Sequence, residues 1–101
     1  MKIAIASTGK TLDSQVSKVG GRAPIYLIFE GKKLVKVIKN PFRIGGGGAG
    51  FSVAHMLADE KVDLVISGNF GPNMLQALKT KGIKTKVVSG KTIEKALTET
   101  K

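Results

Sequence analysis

The feature that most restricts the fold of this 101-residue chain is its alternation between two hydrophobic periods. Short runs rich in β-branched and aromatic residues, which suit strands, alternate with stretches whose apolar residues recur at helical spacing. Ile3-Ala4-Ile5-Ala6 reads as a first strand. A polar, glycine-containing connection runs from Ser7 to Ala23. Ile25–Phe29 and Leu34–Ile38 flank the turn Glu30-Gly31-Lys32-Lys33 and form a hairpin. Asn40-Pro41 ends it, because proline cannot donate to a ladder. A first helix follows Gly45–Gly48, with Val53, Ala54, Leu57 and Ala58 inward and Ser52, His55 and Asp59 on its polar face. Asp63–Ser67 is a nearly all-apolar fourth strand and so central. A second helix runs from Pro72 to Lys81, with proline at its start, Gly82 just past its end, and Leu75 and Leu78 facing the core. Lys84–Val88 is a fifth strand, and Ile93, Ala96 and Leu97 mark a short third helix.

The order is therefore β, ββ, α, β, α, β, α in one α/β domain over residues 1–101. Strands joined through helices are parallel, with right-handed crossovers. The expectation is a mixed five-stranded sheet, flanked by helices, in which the second strand alone runs antiparallel to the others. That topology gathers the connections after strands one, three, four and five at one edge, with eleven of the thirteen glycines. The helix N-termini point to the same edge and offer free N–H groups and partial positive charge. Ligands of open α/β sheets bind outside the carboxyl ends of strands. The other two glycines, Gly31 and Gly82, are turn residues at the opposite edge.

Charge points to an anionic ligand. Lysine and arginine total 17 against 7 acids, a net charge of +10, which attracts phosphates, anionic cofactors, nucleic acid or acidic proteins. Arg22 and Arg43 supply the guanidinium groups. With no cysteine, the chain by itself builds neither disulfides nor thiolate metal sites. No apolar run approaches the roughly 20 residues of a membrane helix, and Met1–Ala6 lacks a cleavage pattern, so a cytoplasmic protein without membrane contact is expected.

Several catalytic readings fail on spacing. Gly45-x-Gly47-x-x-Gly50 has the form of a dinucleotide fingerprint, but the next strand ends Ser67-Gly68-Asn69 without the acid that would meet a ribose. Gly9-Lys10-Thr11 and Gly90-Lys91-Thr92 resemble the ends of phosphate loops, yet Ala4 and Thr85 stand where the leading glycine is required. The seven acids are dispersed, His55 stands alone, and no nucleophile–base pair emerges. A binding module and not an enzyme is expected.

Six stretches then carry a resemblance over nearly the whole chain: Asp13-Ser14-x-Val16-Ser17, Gly21-Arg22-Ala23-Pro24, Asn40-Pro41, Gly47-Gly48-Ala49-Gly50, Leu57-Ala58-Asp59-Glu60-x-Val62-Asp63 and Ser67–Asn73. The chain resembles the dinitrogenase iron–molybdenum cofactor biosynthesis family, which includes NifX and the C-terminal region of some NifB proteins. The resemblance implies a ribonuclease-H-like α/β fold. It also implies binding or carriage of iron–molybdenum cofactor or an iron–sulfur precursor cluster, with a protein partner in cluster transfer. Members often carry histidines where this chain has Val19 and Gly46, so no bare metal site is expected. What remains is an anion cradle of Ser7, Thr8, Gly9, Lys10, Arg22, Gly47, Gly48, Gly50, Gly68, Asn69 and Asn73. The alternative function is a basic module for an acidic protein or for non-specific nucleic-acid binding. Its few aromatics supply a base-stacking platform poorly.

Overall fold

A computed structural model describes residues 1–42 and 49–99. The elements are β1 (Lys2–Ser7), β2 (Ile25–Glu30), β3 (Lys33–Lys39), α1 (Ala49–Asp59), β4 (Leu64–Ser67), α2 (Pro72–Thr80), β5 (Lys84–Val87) and α3 (Ile93–Glu99). The strands form one sheet in the order β3-β2-β1-β4-β5. β1 pairs antiparallel with β2 and parallel with β4, β2 antiparallel with β3, and β4 parallel with β5. The mixed sheet with β2 reversed is as the sequence predicts, and it places the C-terminal ends of β1, β3, β4 and β5 together.

The two faces of the sheet follow from the period of two along each strand. On one face Ala4, Ala6, Tyr26, Ile28 and Val65 pack with Val53, Ala54 and Leu57 of α1 and with Met74 and Leu78 of α2. On the other, Ile3, Ile5, Leu27, Phe29 and Ile66 pack with Val16 and with Ile93, Ala96 and Leu97 of α3. Each large aliphatic or aromatic side chain so buried contributes roughly 1.5–3 kcal/mol. Alanines at positions 4 and 6 leave room for two helices on the first face.

One core assignment changes. Leu75, expected inside, is 43% exposed, and Met74 is buried at 1%. Met74 and Leu78 are spaced i, i+4, which shares a helix face as well as i, i+3 does. α2 ends as expected: Gly82 takes a left-handed φ of 75°, with Ile83 N–H donating to Leu78 and Gly82 N–H to Lys79, the Schellman pattern. Among the described residues no helix is long and apolar enough to cross a membrane.

Candidate functional site

The long β1–β2 connection divides between two neighbourhoods. Its first limb turns toward the start of α3. Thr8 N–H donates to Gln15 O at 3.0 Å, Thr8 Oγ1 accepts from Gln15 N–H at 3.1 Å, and Gln15 bridges to Thr92. Its second limb, residues 17–23, turns instead toward α1 and α2. Gly68 N–H donates to Ser17 O at 2.8 Å. A Cβ at Gly68 would lie 2.8 Å from Lys18 Cα, so only glycine permits this crossing of two backbones.

Three buried serines shape these loops in the same way. Ser7 Oγ donates to Gly9 O and accepts from Gly9 N–H. Ser17 does the same with Val19, and Ser67 with Asn69. A hydroxyl competes well for backbone partners two residues on, and here it fixes the turn after a strand or bridge. Asn40, buried at the end of β3, donates through Nδ2 to Gly21 O at 3.1 Å and Ala23 O at 2.9 Å, while its Oδ1 accepts from Phe42 N–H. Tyr26 donates its hydroxyl to Gly20 O at 2.6 Å. The carbonyls of residues 20, 21 and 23 are thereby drawn into the protein. Burial pushes the Tyr26 phenol far above its ordinary range, which keeps it protonated as the donor.

Against this fixed loop, the first turns of α1 and α2 enclose a cavity of about 350 Å³. Gly20, Gly21 and Arg22 form one wall, and Ala49 and Gly50 of α1 a second. Asn69, Gly71, Asn73 and Met74 form the third, with Val19 and Pro72 completing it. Glycine is what lets the walls meet. A Cβ at Gly20 would lie 2.9 Å from Met74 Sδ, and one at Gly21 would lie 3.3 Å from Gly50 N. α2 has Gly71 at its N-cap, no side-chain cap, and Pro72 in the first turn. Its leading N–H groups are thus left to whatever occupies the cavity.

The cavity brings together Arg22, Gly50, Asn69 and Asn73 from the residues singled out in the sequence. It does not include Ser7, Thr8, Gly9 or Lys10, which belong to the limb facing α3, nor Gly68, whose place is the backbone crossing. Gly47 and Gly48 lie outside the described residues. Val19, Gly20, Gly21, Gly71 and Met74 were not among the candidates. Gly20 and Gly21 were visible in the sequence as part of the glycine-rich edge; Met74 carried no local signal.

The donor set fixes the chemistry. Arg22 is the charged side chain among the described lining residues, and the carboxamides of Asn69 and Asn73 are the neutral polar ones. Among the described residues no group of three or more His, Cys, Asp or Glu could hold a metal ion. His55 lies in a separate shallow hollow with Phe42 and Phe51, 3.8 Å from Asp59. The cavity therefore offers N–H donors and one positive charge to an anion.

The fold is shared with solved structures. The apo form of the orange protein from Desulfovibrio gigas superposes with a TM-score of 0.90 at 28% identity, over 96% of this chain and 83% of that one. A NifB-like protein from Thermotoga gives 0.82 at 30% identity, over 96% and 84%. A dinitrogenase-like protein from Methanocaldococcus jannaschii gives 0.64 at 18% identity, over 96% and 84%, a likeness of fold alone. No protein of curated function matches the chain. Residues 1–101 match the family described as dinitrogenase iron-molybdenum cofactor, and the chain belongs to that family.

Proposed function

We propose that this protein is a cytoplasmic carrier that binds an anionic metal cluster, iron–molybdenum cofactor or an iron–sulfur precursor of it, in the cavity and passes it to a protein partner. The observation that carries the reading is the cavity itself: two helix N-termini, glycine backbone and Arg22 converge where the strands of the sheet end. Family membership and the orange-protein likeness, with that relative described as an apo form, support cluster carriage.

The residues fit a cargo that brings its own ligands. Each helix N-terminus favours negative charge by roughly 0.3–1 kcal/mol, and a charge-assisted hydrogen bond from Arg22 contributes about 1.5–3 kcal/mol. Together these support about micromolar binding once loop ordering is set against them. That strength suits a cargo that must be released. The chain does no chemistry on the cargo in this reading. Its buried polar side chains Ser7, Ser17, Asn40 and Ser67 hold backbone and present no nucleophile.

The test is retention of cluster. Protein incubated anaerobically with an iron–sulfur precursor cluster and then desalted should keep the cluster's visible absorption. Arg22→Gln and Asn73→Ala should each lower retention several-fold. Absence of bound cluster, or retention indifferent to both substitutions, contradicts the proposal.

A further inference from the structure

We infer that the cavity selects sulfide-terminated anions over oxyanions of the same charge and shape. The inference rests on the carrier reading and names the class of cargo. Its basis is a mismatch between the size of the cavity and its supply of donors.

Four polar groups that border the cavity are turned away from it. The hydroxyls of Ser17 and Ser67 are each used twice by their own loops. The hydroxyl of Tyr26 and the carboxamide of Asn40 are held by carbonyls of the wall. Among the described residues no buried side-chain nitrogen or oxygen lacks a partner, so none stands ready to meet a ligand oxygen. What faces the cavity between Arg22, Asn69 and Asn73 is Val19, Ala49, Pro72, Met74 and glycine methylene.

An oxyanion concentrates its charge on small, strongly hydrated oxygens and loses much on leaving water unless each finds a donor. Sulfide termini spread the same charge over larger, polarisable atoms that accept hydrogen bonds weakly. They lose less hydration and gain dispersion against apolar walls, including the polarisable thioether of Met74. Positive charge at the helix ends attracts both classes alike, so the apolar floor and rim make the difference.

Molybdate and tetrathiomolybdate, both tetrahedral dianions, isolate that difference. Calorimetric titration of the whole chain should show the thio-anion binding at least about tenfold more tightly, with amide shifts from both centred on residues 19–22, 49–50 and 69–74. Val19 is 49% exposed, so Val19→Asn leaves the fold intact while adding a donor at the rim. It should narrow the ratio at least about threefold by improving molybdate. Equal or tighter binding of molybdate at the cavity, or an unchanged ratio in Val19→Asn, overturns the selectivity and leaves the carrier reading standing. Failure of both anions to bind, or shifts elsewhere, overturns both.

Discussion

A Cβ placed on Gly50 would stand 3.0 Å from both the backbone nitrogen and the Cβ of Met74. The first turns of α1 and α2 thus touch with no side chain between them, and this contact forms the floor of the cavity. Gly50→Ala forces the two helix starts apart, because the atoms it meets belong to backbone and cannot swing away. It should destabilise the protein by about 1–3 kcal/mol, seen in thermal or denaturant unfolding, and weaken anion binding as well. An alanine variant with wild-type stability and affinity contradicts the contact.

Gly68 and Gly71 lie three residues apart in the β4–α2 loop and make opposite predictions. A Cβ at Gly68 meets Lys18 Cα at 2.8 Å and Ser17 O at 2.9 Å, whereas one at Gly71 meets nothing within 4 Å. Gly71 also has φ −66°, open to any residue. Gly68→Ala should cost about 1–3 kcal/mol and Gly71→Ala no more than about 0.5 kcal/mol. Chemical denaturation of the pair reads the contrast directly.

Tyr26 gives the stability a dependence on alkaline pH. Its phenol is held well above the ordinary value of about 10. Above pH about 10 the unfolded chain therefore binds fewer protons than the native one, and stability falls as pH rises. Tyr26→Phe should lose about 0.5–1.5 kcal/mol at neutral pH, where the bond to Gly20 is missing. It should then lack this alkaline loss, so the gap between variant and wild type closes above pH about 10. Tyr26 is the single tyrosine, which makes tyrosinate absorption an independent reading. A gap constant through that range contradicts the buried, protonated phenol.

Nucleic-acid binding, if the charge of +10 produces any, should be electrostatic and without sequence preference. Its affinity should fall steeply between about 50 and 200 mM salt, measured by anisotropy with two unrelated oligonucleotides. Selective binding that survives high salt contradicts this.

The sheet was legible because its determinants are local. The hairpin turn at Gly31, the proline and glycine bounding α2, and apolar runs of strand length all lie in short windows. The cavity was legible in part. Topology alone puts the strand ends, the helix starts and Arg22 at one edge. What sequence could not decide is which half of the β1–β2 connection serves that edge. Ser7–Lys10 and residues 19–22 are both polar and glycine-containing, and they are separated by pairings with Thr92 on one side and Gly68 on the other. Met74 was missed for a related reason. Met74 and Leu75 are adjacent, both fit a helical stripe with Leu78, and the choice is made by Gly20 and Gly50, remote glycines that leave room for one of them.

The most direct measurement is an amide chemical-shift titration with an anionic cluster, or with molybdate or thiomolybdate in its place. Saturating shifts should concentrate at residues 19–22, 49–50 and 69–74, and Arg22→Gln should weaken them together. Shifts centred on Ser7–Lys10, or on Gly31 and Gly82 at the far edge, would place the ligand away from the cavity and contradict the proposed function.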